Sequence, residues 1–333
     1  MFGLLAQVNY GNWLPPQLAR HGGDVDRLID TVHVFMFLIF VPWALFFAYC
    51  LLKYRSRGGH SATYTPIKAK LSKYAEVAVA AFEVVLLVGF SYPVWADYKN
   101  APPAPDKRIE VRVIAEQFQW DFHYPGPDGK FGQTKASLIS ASNPIGLDDA
   151  DAAAADDIVR VNEFYIPTGR DIYLRLTSKD VIHSFDIPTM RMKQDVIPGM
   201  EIPIWFKVND GVTSDKLREQ MTRRVPIAGA NWYKLRHLVA SEDHKSKSGE
   251  VVLAKGADLG LTHQTGTENI DKLSKAGVTE LALQPREPLE VVCAQLCGNS
   301  HFKMKAVIKA QTPEEFDAWV AEASKKVEFS PDF

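Results

Sequence analysis

The chain has 333 residues, with 38 Lys and Arg against 40 Asp and Glu and a formal charge of −2 at pH 7. That length allows one or two domains, and the near-neutral balance speaks against a nucleic-acid partner and against a polybasic membrane tail. Mean hydropathy is only slightly negative, which excludes a many-spanning membrane protein.

Residues 1–30 are mixed. Phe2 to Val8 is apolar but short, with no basic residue before it and no convincing cleavage site, so a secretory signal peptide is not the expectation. Asp24, Asp26, Arg27 and Asp30 close this N-terminal outer segment. Residues 31–96 then read as a transmembrane hairpin. The first span, about 31–52, has no formal charge, and about 20 apolar residues suffice to cross a hydrocarbon core of about 30 Å. Pro42 is tolerated in such a span, His33 serves as an interfacial anchor, and Cys50 is a small buried hydrophobe. Lys53, Arg55, Arg57, His60, Lys68, Lys70 and Lys73 follow with no acidic residue among them, the mark of a cytoplasmic loop. The second span, about 74–95, carries Glu76 near its inner end and Glu83 seven residues deeper. A carboxylate inside a span is costly and points to function by default; for Glu83 the competing reading is a hydrogen-bond partner between helices.

Residues 97–106 hold Pro102, Pro103 and Pro105 and form a stiff linker. From Ile109 the pattern changes to period two. Aromatics alternate at Phe118, Trp120, Phe122 and Tyr124, the stretch 125–129 is a turn, and further strand-like runs start at Ile172, Ile202 and Leu289. Many short strands between Gly/Pro turns predict an all-β sandwich over 107–311. Two stretches look inserted: the acidic, Ala-rich run 148–157, expected to be a solvated loop, and the long segment 209–285, in which one helix is expected near Lys216–Met221. His244 and His263 in that segment follow no ligand spacing and are expected at the surface. Residues 312–333 read as a C-terminal helix and tail: Thr312, Pro313 and Glu315 make a capping-box start, and Phe316, Trp319, Val320 and Ala323 share one apolar stripe. No C-x-x-C-H run is present, so no c-type haem is expected on this chain.

The densest chemistry lies in Cys293-Ala-Gln-Leu-Cys297-Gly-Asn-Ser-His301-Phe-Lys-Met304. Two thiols, an imidazole and a thioether within a dozen residues argue for a transition metal, and sulfur donors beside a Met lean towards copper. Structural zinc sites take four Cys/His ligands in paired short spacings with a second pair elsewhere; here the cysteines are four apart and a Met stands where a zinc knuckle would have none. The alternative is a Cys293–Cys297 disulfide, which would close only a tiny loop. A second motif lies upstream, Ser178-Lys-Asp180-Val-Ile-His183-Ser-Phe-Asp-Ile-Pro188 followed by Lys193-Gln-Asp195-Val-Ile-Pro198-Gly199.

Together these motifs resemble subunit II of the haem–copper cytochrome c oxidases, over residues near 28–125, 157–208 and 288–310. The resemblance implies a two-helix transmembrane hairpin followed by an all-β cupredoxin-like sandwich, here with a long insertion and a C-terminal helix. It implies a binuclear copper centre, CuA, bridged by Cys293 and Cys297, with His183 and His301 as nitrogen ligands, Met304 as a weak axial ligand, and the carbonyl of Gln295 on the other copper. It also implies Glu76 at the mouth of a proton channel into subunit I. The family has Glu where Gln295 stands, and its carboxylate reaches a Mg2+ shared with subunit I; a neutral amide puts that Mg2+ in doubt. Phe118 falls where the family's surface Trp takes electrons from cytochrome c, and Trp120 matches the next Trp. The implied partners are subunit I and other oxidase subunits, cytochrome c or a membrane-attached cytochrome, and the lipid bilayer, but no nucleic acid. The implied setting is a bacterial inner membrane, with both termini and the copper domain periplasmic. The competing functions are a CuA subunit of a nitric oxide reductase-type enzyme, a quinol oxidase-like subunit II, and a copper chaperone.

Overall fold

The computed structural model describes residues 14–59, 61, 64 and 70–325. The readings made for Phe2–Val8, for His60 and Lys68 of the basic loop, and for the tail beyond residue 325 lie outside the described residues. The chain divides into two units, His21–Pro102 and Met1–Arg20 with Pro103–Phe333.

The first unit is helical. Helix α1 (Gly22–Lys53) is followed by α2 (Lys70–Leu86), a π-helical turn at Leu87–Ser91, and α3 (Tyr92–Asn100). At 1.5 Å per residue, the 32 residues of α1 extend about 48 Å. It starts nine residues before the uncharged run, because Asp24 suits the positive helix N-terminus and pairs with Arg27 at 3.4 Å. The apolar windows of both long helices have no buried residue: Leu38, Phe40, Trp43 and Leu45 project outward from α1. A helix that is apolar all round and uncovered by protein has the surface of a membrane span. Phe35 meets Phe82 edge-to-face at 4.6 Å between the two long helices. A groove of about 1040 Å³ runs between them, lined by Pro42, Trp43 and Phe46 on one side and Ser72, Glu76 and Glu83 on the other.

The second unit is built on strands. β1 (Arg108–Glu116), β2 (Gln119–Tyr124), β3 (Ile158–Val161), β4 (Glu163–Pro167), β5 (Asp171–Ser178), β6 (His183–Ile187), β7 (Met192–Val196) and β8 (Ile202–Lys207) come first. The insertion adds α4 (Ser214–Gln220), β9 (Arg223–Pro226), α5 (Trp232–Leu235), β10 (Leu238–Ala240), β11 (His244–Lys245), β12 (Val251–Leu253), α6 (His263–Lys275) and β13 (Glu280–Pro285). β14 (Glu290–Cys293), β15 (Lys305–Gln311) and α7 (Pro313–Ala323) complete it. Two five-stranded sheets form, in the orders β3-β2-β1-β5-β8 and β4-β15-β14-β6-β7. Period-two burial is clearest in β5, where Ile172, Leu174 and Leu176 all face the core. The sheets pack face to face through aromatics: Phe122 of β2 stacks on Phe164 of β4 at 4.6 Å, and Trp120 of β2 meets Phe185 of β6 edge-on at 5.2 Å.

Three findings depart from the sequence reading. Residues 14–20 join the β-unit: Leu18 and Ala19 are buried, Leu18 N–H donates to the Thr189 carbonyl at 2.8 Å, and Arg20 N–H donates to that of Lys207 at 3.0 Å. Second, the acidic run is not simply a solvated loop. Asp151, Asp156 and Asp157 accept backbone N–H groups of Gln133, Asp128 and Gly132, and Asp157 pairs with the fully buried His123 at 2.6 Å. Carboxylates here satisfy an irregular loop that would otherwise leave donors unpaired. Third, most of the insertion forms its own small core, in which Leu235, Leu253, Ile270, Leu273 and Leu281 pack around the sheet β10-β13-β9. His244 is buried there and accepts from Ala282 N–H at 3.3 Å, whereas His263 is exposed and stacks on Tyr233. At the C-terminus the expected capping box on Thr312 and Glu315 is present, and Trp319 stacks on Tyr165 at 4.2 Å.

Candidate metal centre

Antiparallel pairing sets the end of one strand beside the start of its neighbour. β14 runs antiparallel to β6, with Cys293 opposite Phe185, so Cys293 at the end of β14 meets His183 at the start of β6. β15 returns antiparallel to β14, and Cys293 N–H donates to the Met304 carbonyl at 3.1 Å. The loop 294–304 between these strands therefore starts and finishes at the same corner, carrying Cys297 and His301. Gly298, at φ +139°, turns the loop directly after Cys297; a Cβ there would lie 2.8 Å from Gln117 Nε2 and 3.0 Å from Phe118 Cζ.

The donors converge. The two Sγ atoms lie 3.9 Å apart, far beyond the disulfide bond of about 2.05 Å. Nδ1 of His183 is 3.9 Å from Cys293 Sγ, Nδ1 of His301 is 3.5 Å from Cys297 Sγ, and Sδ of Met304 is 3.7 Å from Cys297 Sγ. The Gln295 carbonyl lies 3.2 Å from Cys293 Sγ. Ligand atoms of His183, Cys293 and Cys297 all fall within 4.8 Å of one another. These separations suit donors that share a metal at bonds of about 2.0–2.3 Å. His183, Cys293, Cys297 and Met304 are buried, His301 is half-buried, and the Gln295 side chain is exposed. Two thiols, two imidazoles and a thioether, mostly sheltered from water, form a soft donor set that fits copper.

Outside the donors, Nε2 of His183 donates to Asp180 Oδ1 at 2.8 Å, which leaves Nδ1 free to bind. Asp180 also accepts from Val181 N–H at 2.6 Å and Gln117 N–H at 2.7 Å. Burial would raise its carboxyl, but these hydrogen bonds from His183, Gln117 and Val181 hold it below the usual range. Burial likewise pulls His183 down, and the Cys293 sulfur and Asp180 more than offset it, so its pKa is raised. Without metal the thiols share their charge unequally. Burial opposes ionisation of Cys293, yet His183 and the backbone N–H groups of Ser184 and Gln295 bring it down to about 6. Cys297 is pushed up to about 11 by burial and by the Cys293 sulfur beside it.

Trp120 is fully buried, with its ring edge-on to His183 at 6.1 Å, so it is a core residue behind a donor and does not reach the surface. Phe118 is half-buried at the tip of the β1–β2 hairpin, against Gly298. Glu76 lies in the helical unit, where it accepts from Ser72 Oγ at 3.4 Å. Sequence reasoning passed over the contacts made by Gln117 and Asp180. Asp180 stands three residues before His183, a spacing that lets its carboxylate reach the ring; nothing local marks Gln117.

Several known proteins are similar to this chain. Residues 109–216 match the family described as cytochrome C oxidase subunit II, periplasmic domain. The chain is 30% identical over 231 residues to an alternative cytochrome c oxidase subunit 2 of Bradyrhizobium diazoefficiens, covering 69% of this chain and 79% of that protein. It is 25% identical to cytochrome c oxidase subunit 2 of Alkalihalophilus pseudofirmus, where the match spans 58% of this chain and only 49% of the relative. Among solved structures, the periplasmic domain of subunit II of cytochrome oxidase from Bradyrhizobium japonicum aligns at 19% identity and a TM-score of 0.32, covering 68% of this chain and 98% of that one. Identity and coverage against the Bradyrhizobium diazoefficiens protein place the chain in the cytochrome c oxidase subunit 2 family.

Proposed function

We propose that this chain is the electron-accepting subunit of a respiratory cytochrome c oxidase, receiving electrons from cytochrome c or a partner cytochrome and passing them to the haems of subunit I for reduction of oxygen to water. The observation that carries the reading is the convergence of Cys293, Cys297, His183, His301 and Met304 at one corner of the β-unit. In this reading the five side chains and the Gln295 carbonyl hold a binuclear CuA group. When bound, that group supplies a one-electron store shared between two metals.

The protein's part is to hold the donors still. Cys293 is anchored by the β-ladder, His183 by Asp180, and Met304 by the start of β15. Burial of both thiols and of Met304 keeps water from the sulfurs. Phe118, at the surface beside the Cys loop, is the proposed point where electrons arrive. Glu76 is the proposed mouth of a proton channel that the hairpin shares with subunit I. The amide of Gln295 is a poor substitute for the carboxylate that Mg2+ prefers, so Mg2+ is not part of the proposed site. The two apolar helices and the uncompensated basic loop support a bacterial inner-membrane location with the loop cytoplasmic and the copper unit periplasmic.

The test is a copper-loaded full chain examined by near-infrared absorption and EPR. A mixed-valence dicopper spectrum is expected. Cys293→Ser removes a shared donor and should abolish it. Met304→Leu removes a weak axial donor and should leave it, with a shifted reduction potential. A Cys293→Ser chain that keeps the dicopper signal would end this assignment.

A further inference from the structure

We propose that Gln117 is a positioning residue of the metal centre, a tie that holds the cysteine loop against the opposite sheet. The inference rests on the copper reading above for its purpose but not for its geometry. Gln117 follows β1 at the tip of the β1–β2 hairpin and so belongs to the sheet that carries no donor. From there it reaches two loops that border the donor sheet, the β5–β6 connection and the β14–β15 loop. Its main-chain N–H donates to Asp180 Oδ2 at 2.7 Å, and the other oxygen of that carboxylate accepts from His183 Nε2 at 2.8 Å. Its side-chain Nε2 donates to the carbonyl of Cys297, 180 residues away. One residue thus links the support of a nitrogen donor to the backbone of a sulfur donor.

Gly298 makes the second link possible. The Gln117 amide and the Phe118 ring occupy the space where a side chain at position 298 would begin. The nearby Gln119 provides the contrast: its amide donates to Glu116 at 2.7 Å and Asp121 at 2.9 Å, neither of them a donor to the metal centre. Loop 294–304 is also held by Ala294 N–H on the Ser184 carbonyl at 2.9 Å and by its own turns, His301 N–H on the Gly298 carbonyl at 3.1 Å and Lys303 N–H on that of Ser300 at 2.9 Å. None of these bonds reaches the opposite sheet; among the described residues the Cys297 carbonyl is tied there by Gln117. A fixed Cys297 carbonyl sets where Sγ points and limits how far the loop can relax when the charge of the centre changes.

Gln117→Met in the detergent-solubilised full chain keeps the length of the side chain and its main-chain bond to Asp180, and deletes only the donor to Cys297. Gln119→Met is the matched control. In the metal-free chain, amide hydrogen exchange of residues 294–304 should quicken roughly fivefold in Gln117→Met, the loss of one net hydrogen bond, and stay unchanged in Gln119→Met. In the copper-loaded chain, Gln117→Met should bind the same amount of copper, release it several-fold faster to a chelator, and titrate at a shifted reduction potential. Exchange and copper release within twofold of wild type overturn the proposal, as does an equal effect from Gln119→Met. A wild-type chain that takes no copper defeats the functional reading, while the metal-free exchange still decides the tie.

Discussion

Gly298→Ala should destabilise this protein for two separable reasons. The backbone reason is φ +139°, a conformation that L side chains rarely adopt; holding a non-Gly residue in such a region costs about 1–3 kcal/mol. The contact reason is the new Cβ, 2.8 Å from Gln117 Nε2 and 3.0 and 3.1 Å from Phe118 Cζ and Cε1. The Gln117 amide can swing aside only by giving up the Cys297 carbonyl, a net loss of about 0.5–1.5 kcal/mol. Together these give roughly 2–4 kcal/mol, or a fall of about 5–15 °C in the melting temperature of a domain this size. Gly199→Ala places a Cβ at positive φ without the contact, because Gly199 has φ +76° and no atom within 4 Å of its ideal Cβ. Thermal melts of the metal-free full chain should rank Gly298→Ala clearly below Gly199→Ala. Equal melting temperatures would show that the loop does not press against the β1–β2 hairpin, and the packing argument would fall with them.

Gln295→Ala should leave copper binding intact, since only the main-chain carbonyl of this exposed residue approaches the sulfurs; Gln295→Glu should raise Mn2+ occupancy in the assembled complex, and EPR of bound Mn2+ that does not change would show the side chain to be irrelevant. For topology, a membrane-impermeant thiol reagent added to intact cells should label His263→Cys and spare His60→Cys, and the reverse pattern would invert the orientation. The bidentate Arg170–Asp317 pair, at 2.6 and 2.7 Å, holds the Asp317 carboxyl below its usual range. A lowered folded pKa means stability that is present above the unfolded value and lost as pH falls through the folded one. Asp317→Asn should therefore cost up to about 1 kcal/mol at pH 7 in low salt, screening limiting a surface pair to that size, and nothing once the pH is below both values. A cost that persisted in acid would point to something other than the ion pair.

Features that depend on neighbours along the chain are legible without the fold. A long uncharged run makes α1 whatever surrounds it, and alternation in 109–124 and 172–177 makes strands because successive side chains point to opposite faces. The capping box at Thr312 and Glu315 lies within four residues, and both formed. The donor set was legible for a similar reason: one loop carries two thiols, an imidazole and a thioether, and their softness names the class of metal. Tertiary structure alone decided the partners of residues far apart. Nothing near His123 says that Asp157 closes over it, so carboxylates in the run 148–157 looked merely solvated. Leu18 and Ala19 sit in a segment with no period, and only the sandwich provides the edge that buries them. The strands of the insertion are mostly three to six residues long, too short for a pattern to show, and hold together because they share a core. Gln117 reaches Asp180 across 63 residues and Cys297 across 180, and no local rule connects them. Donors are chosen by side-chain chemistry, which is written residue by residue; the geometry that holds them comes from the meeting of two sheets, which exists only once the chain has folded.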